Sequence, residues 1–252
     1  MTDPITLPPL GAPVDELWDV LLDLSERLSD VPWSLIGGQM VLLHALEHDT
    51  VPPQVSQDGD VITNVRLATG GLARVVAELE GLGFSCDGMA PDGIAHRYSR
   101  PSRDPKRPVV IDVLAPEGVG SRTDLTTTPP GRTLQVPGGS QALRRTETVA
   151  VVIGDRVGRV PRPSLLGAVV GKAAACGLPD DTSRHFRDLA LLCALIDDPF
   201  RLTEQLGPKD RKRLRFAAAL DDPDHEAWAL VPADLRDEGR AAWEILNNLP
   251  AS

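Results

Sequence analysis

The run PVVIDVLAP, residues 108–116, constrains the fold more than any other stretch of this chain. It is apolar, rich in β-branched residues, bounded by prolines and far too short to cross a membrane, so it reads as a strand buried within a sheet. One carboxylate, Asp112, interrupts it. An ionised carboxylate in such a strand is costly unless something compensates it. An arginine partner, a place at a sheet edge and a place in a functional site would each do so.

The rest of the chain supplies the context. At 252 residues it can form one large domain or two modest ones. With 42% hydrophobic and 25% charged residues it has globular rather than disordered composition, and with 4% aromatics its core must be aliphatic. Residues 1–13 are Pro-rich and read as a flexible arm. A helix follows, with Leu17, Trp18, Leu21, Leu24 and Leu28 at 3.6-residue spacing. WSLI (33–36) reads as a strand, residues 39–47 as a helix, VSQDGDVIT (55–63) as a second strand and residues 70–81 as another helix. Residues 117–139 read as a loop or flap, and TETVAVVI and RVGRVP as two strands joined by a Gly-Asp turn.

From residue 164 the pattern becomes helical, at 164–176, 184–196, 209–220 and 235–246. The expected fold class is therefore α+β: a mixed β-sheet flanked by helices (14–162), followed by a C-terminal helical domain (163–252). No basic leader and no membrane-length apolar run is present, and the three cysteines have no metal-binding spacing. The expectation is a cytoplasmic protein with reduced, buried thiols and no membrane partner.

Three features carry chemistry. Asp58 and Asp60 lie two residues apart, so on a strand their carboxylates share a face. Like charges that close repel each other unless a cation divides them, and oxygen-only ligands suit magnesium. Asp112 could supply a third carboxylate. The competing reading of Asp58-Gly59-Asp60 is a polar turn. Second, Gly37 and Gly38 separate the strand WSLI from a helix, which suits either tight packing or N–H groups open to phosphate. Third, Lys172 follows Leu165 by seven residues and so shares its apolar stripe, either as a snorkelling stem or as an ammonium reaching phosphates. Asp188 follows Arg184 by four residues, so an ordinary helical ion pair also accounts for it.

Taken in order, GG after a strand, a DxD strand, the later strand bearing Asp112, VPRPSLLGAVVGKAAAC and RHFRDLALL resemble the AbiEii/AbiGii-type nucleotidyltransferases. These are toxins of type IV toxin-antitoxin and abortive-infection systems within the DNA polymerase beta-like superfamily. The resemblance covers about residues 33–196 and implies a nucleotidyltransferase-type sheet. It implies that Gly37 and Gly38 contact nucleotide phosphates with Ser56 nearby. Asp58 and Asp60 would be paired magnesium ligands, and Asp112 the third carboxylate, which helps activate the attacking hydroxyl. Lys172 and Asp188 match the family's C-terminal signature. This chain departs from the family at Gly59, where relatives carry a hydrophobic residue.

The resemblance implies magnesium-dependent transfer of a nucleoside monophosphate from an NTP to an acceptor hydroxyl, with the 3' end of tRNA as acceptor and a cognate antitoxin as partner. The clusters RYSRPSRDPKR and KDRKRLR offer basic surface for a polyanion. The net charge of -10 opposes indiscriminate nucleic-acid binding and suits a small-molecule acceptor, as in antibiotic adenylyltransferases. A catalytically degenerate binding domain is the third reading, and Gly59 is its main support.

Overall fold

The computed structural model describes residues 3–68, 70–179 and 182–247. Contacts divide the chain into two compact units, the first running up to Met40 and then through Ser56–Pro163. The second takes Val41–Val55 and everything from Ser164 onward, so it begins with a segment far from the boundary that the sequence suggests at 162/163.

In the first unit the elements run β1 (Ile5–Leu7), α1 (Val14–Arg27), β2 (Trp33–Ile36), the start of α2 (Gly37–Glu47), β3 (Asp58–Thr63), α3 (Gly71–Gly81), β4 (Ser85–Cys86), β5 (Arg97–Arg100), β6 (Val109–Pro116), β7 (Leu134–Val136), α4 (Gly139–Arg144), β8 (Thr146–Ile153) and β9 (Arg156–Pro163). The main sheet has the order β2-β3-β6-β5-β4, with β7 on β6 where β5 ends. It is mixed: β3 and β6 are parallel, whereas β2 and β5 run antiparallel to their neighbours. A three-stranded sheet, β1-β8-β9, completes the unit. The α+β class expected from the sequence, a mixed sheet flanked by helices, is the observed one.

The run that opened the sequence argument is β6, buried at every position and lying between β3 and β5. Helix α1 covers the sheet because its apolar residues recur on one face; Leu17, Trp18, Leu21, Leu24 and Leu28 are all buried. Two local expectations change. Ile5–Leu7, within the Pro-rich arm, pair in parallel with Val151–Ile153 of β8, since Ile5 and Leu7 have apolar side chains to bury. The segment 117–139 is not all loop, for Leu134–Val136 form β7.

The second unit is helical: α5 (Leu165–Ala175), α6 (Ser183–Ala194), α7 (Pro199–Thr203), α8 (Pro208–Leu214), a 3-10 segment (Arg215–Asp221), α9 (Glu226–Ala229) and α10 (Arg236–Asn247). Ser164 caps α5, its Oγ accepting from the Gly167 N–H at 3.5 Å, and the helix buries nearly its whole circumference. The helix expected over 209–220 is broken at Ala217, whose backbone is non-helical. No helix among the described residues is long and apolar enough to cross a membrane.

Cys176 and Cys193 are buried, as expected, but Cys86 is only half-buried. Burial pushes the Cys176 thiol up to about 12, and the Cys193 thiol is pushed up still further for the same reason. In the folded protein at pH 8 a thiol reagent should therefore titrate Cys86 first, leaving the other two until denaturant is added. Rapid reaction at Cys176 or Cys193 without denaturant would contradict this packing.

Candidate active site

The first unit brings Asp58, Asp60 and Asp112 onto one face of the main sheet. Asp60 and Asp112 are directly paired across the parallel β3 and β6, and Asp58 lies two residues before Asp60. The aspartate pair is thus on a strand, not in a turn. Asp112 and Arg97 are paired in turn across β5 and β6, which places a guanidinium on the same face.

Arg97 grips Asp112 with a two-pronged interaction, Nε donating to Oδ1 and a terminal N–H to Oδ2, both at 2.9 Å. The same terminal nitrogen also donates to Asp58 Oδ2 at 3.4 Å. Donating hydrogen bonds to Asp112 holds the Arg97 guanidinium even more firmly protonated than usual, with the Asp112, Asp58 and Asp60 charges adding to it. Of the ways to keep a carboxylate in β6, the arginine partner is therefore realised. Nothing in sequence spacing links Arg97 to Asp112; the antiparallel register of β5 on β6 does.

The two glycines admit these side chains. Gly37 sits in the left-handed region, φ +70°, and a β carbon there would lie 1.7 Å from Asp60 Oδ2. A β carbon on Gly38 would lie 2.4 Å from that of Ser56. Bare backbone at the start of α2 is thus required by the carboxylate and the serine packed against it. Ser56 Oγ in turn lies 3.4 Å from the Asp58 N–H that donates to it.

Gln39 fixes the same corner, though sequence reading passes over it. It is buried, its Oε1 accepts from the Trp18 indole N–H at 2.9 Å, and its Nε2 donates to the Ser56 carbonyl at 2.7 Å. An amide one residue past a glycine pair has no recognisable spacing signal; only its burial between α1 and residue 56 reveals it.

Gly59 leaves the strand intact: Asp58, Gly59 and Asp60 pair in unbroken register with Val110, Ile111 and Asp112. Its missing side chain makes room for α1, because a β carbon would meet Leu17 Cδ1 at 2.9 Å. Leu17 supplies the hydrophobic cover that a larger residue would provide. Gly59→Ala should cost about 1–3 kcal/mol through overpacking; a urea midpoint equal to wild type would show that Leu17 yields freely.

As placed, these carboxylates do not fit a divalent ion, because Asp112 is occupied on both oxygens by Arg97. Among the described residues no group of three or more His, Cys, Asp or Glu side chains is arranged to hold a metal.

Lys172 and Asp188 belong to the helical unit, where they meet each other: Nζ donates to Asp188 Oδ2 at 2.6 Å. Lys172 is buried and Asp188 partly exposed, so the lysine does more than snorkel. Lys172→Met should destabilise the protein by about 1–3 kcal/mol, less than for a fully buried pair because water reaches Asp188. Adding Asp188→Asn should recover part of that loss; a double variant as unstable as the sum of the singles would show no coupling.

Of the basic clusters, the first has its cations exposed except at Arg100, but most of its arginines are engaged by partners within the chain. Besides Arg97, Arg100 donates to the Leu82 carbonyl and stacks on Phe84, Arg103 pairs with Glu16, and Arg107 binds Asp104 and Gln57. In the second cluster Lys209, Lys212 and Arg215 are exposed.

The mixed sheet with its flanking helices and following helical unit is a nucleotidyltransferase-like fold. It matches the crystal structure of an antigenic nucleotidyltransferase-like protein from Paracoccidioides brasiliensis with a TM-score of 0.52 and 16% identity, over 86% of this chain and 92% of that one. A candidate nucleotidyltransferase from H. pylori aligns with a TM-score of 0.47 and 13% identity, over 94% of this chain and 96% of that one. No protein-family model matches the sequence, and no curated protein matches it.

Proposed function

We propose that this chain is a nucleotidyltransferase that moves a nucleoside monophosphate from an NTP to an acceptor hydroxyl. One observation carries the reading: three carboxylates share a sheet face with the glycine-opened start of a helix, within a single unit. The nucleotidyltransferase-like fold supports it. Backbone N–H groups at the start of α2 would receive phosphate oxygens. The acceptor oxygen attacks the α-phosphorus, the bond to the bridging oxygen breaks, and pyrophosphate leaves. The hydroxyl proton passes to a carboxylate of the site, for which Asp112 is the proposed group.

For the acceptor we favour the 3' end of tRNA, as in a type IV toxin with a cognate antitoxin, because the exposed Lys209, Lys212 and Arg215 offer cations to a phosphate backbone. A small-molecule acceptor is the second reading, favoured by the net charge of -10 and by the pairing of Arg97, Arg100, Arg103 and Arg107 with groups of the chain itself. Incubation with each NTP labelled at the α-phosphate, together with either total tRNA or an aminoglycoside panel, separates them. Label on tRNA alone supports the first and label on an aminoglycoside the second. Label on no acceptor with any NTP would leave the degenerate binding domain as the remaining reading.

A further inference from the structure

Of the three carboxylates, Asp58 is the one the sheet secures least. It is the first residue of β3, and β2 ends at Ile36, opposite Asp60. Asp60 therefore has a paired strand on each side, whereas Asp58 has β6 on one side and, among the described residues, no strand on the other. A strand end paired along one edge opens more readily than its middle. The missing support comes from Gln39. Its side chain is wholly buried and both ends of its amide are in use: Oε1 accepts from the Trp18 indole N–H at 2.9 Å, and Nε2 donates to the Ser56 carbonyl at 2.7 Å. Trp18 is itself fully buried in α1, so the amide is anchored in the core. Ser56 lies two residues before Asp58, and a β carbon on Gly38 would collide with it.

We infer that Gln39 is the positioning residue of Asp58: through the Ser56 carbonyl it fixes the point at which the chain enters β3, and so the place of the Asp58 carboxylate on the sheet face. The inference rests on the nucleotidyl-transfer reading only for the use that is made of Asp58. The chain leaves the first unit after Met40 and re-enters it at Ser56, and the Gln39 hydrogen bond ties the exit to the return. Without it, nothing local would set where Ser56 comes back. The bond is also hard to replace, because its loss leaves a buried indole N–H and a backbone carbonyl unsatisfied. Gln39 touches no reacting atom in this role. It acts through Ser56, and the bare backbone at Gly38 leaves the room in which Ser56 sits.

Backbone 15N order parameters, measured on the full-length protein without nucleotide, test the positioning by themselves. In wild type Asp58 should be as rigid as Val61 and Ile62 of the same strand, at about 0.85. In Gln39→Met, which keeps the size of the side chain and removes both hydrogen bonds, the value at Asp58 should fall to about 0.6 while those at Val61 and Ile62 stay. With the acceptor that takes label best, kcat of Gln39→Met should drop about ten- to a hundredfold, the effect of a group of the site misplaced by about an ångström, with KM for the NTP changed by less than about threefold. A glutamine that served stability alone would loosen the strand as a whole and leave kcat unmoved. An Asp58 as rigid in Gln39→Met as in wild type overturns the inference, as does an unchanged kcat beside an active wild type. If Gln39→Met fails to fold, Gln39→Glu at pH 8, equal in size and turning a carboxylate toward the Ser56 carbonyl, is read in the same way. If wild type transfers nothing, the proposed function falls and the order parameters alone decide this inference. If wild type is active and Gln39→Met matches it, the inference falls and the function stands.

Discussion

Asp58→Asn and Asp60→Asn should each reduce label transfer by about a thousandfold, because both carboxylates belong to the proposed transfer site. Their melting temperatures should stay within a few degrees of wild type. The carboxamide keeps the shape of the carboxylate, and each substitution removes one charge from a mutually repelling set on β3 and β6. Gln39 and Trp18, which fix the neighbouring corner, are untouched. Activity comparable to wild type in both variants, measured by α-phosphate label on the acceptor, would remove the carboxylate face from the account. A large drop in Tm would instead show that the aspartates hold the sheet together.

The largest stability effect should come from Gly37→Ala. Its φ of +70° is unfavourable for any L side chain, and the added methyl would meet Asp60 Oδ2 at 1.7 Å. Backbone strain and overpacking together should cost roughly 3–5 kcal/mol, read from urea unfolding. Gly83→Ala is the control: φ there is +85°, yet a β carbon meets nothing within 4 Å. It should lose only about 1–2 kcal/mol, the cost of left-handed backbone alone. Equal losses at the two positions would mean that Asp60 does not lie under Gly37.

That pair of glycines marks the limit of what the sequence could convey. GG between a strand and a helix signals close approach, but whether to a neighbouring side chain or to a ligand is not written in the dipeptide; the structure puts Asp60 and Ser56 against it. Apolar periodicity made α1 and α5 legible, and the uninterrupted β-branched run made β6 legible, because burial imposes period and length directly. The short pieces escaped. β1 and β7 exist because distant strands offer them an edge, and α7 and α9 are too brief to show a period.

The site divides along the same line. Asp58 and Asp60 were legible as neighbours on one strand, and β3 pairs Asp60 in register with Asp112. Arg97 was legible only as one charge in a basic run, a surface feature by its composition. Its place beside Asp112 depends on β5 pairing antiparallel to β6, a contact between residues far apart in the chain. Gly59 carried the opposite risk: a breaker by propensity, it is held in the strand by its pairing to Ile111 and by the approach of Leu17.

Nucleotidyl transfer is tested most directly by following the two ends of the triphosphate separately, using wild type with the acceptor that takes label best. With the NTP labelled at the α-phosphate, the acceptor should become labelled; with the label at the γ-phosphate, all of it should leave as pyrophosphate and none should reach the acceptor. Label from the γ-phosphate on the acceptor would show phosphoryl transfer instead, and label on the acceptor from neither position would show a site that transfers nothing. Either result would contradict the account.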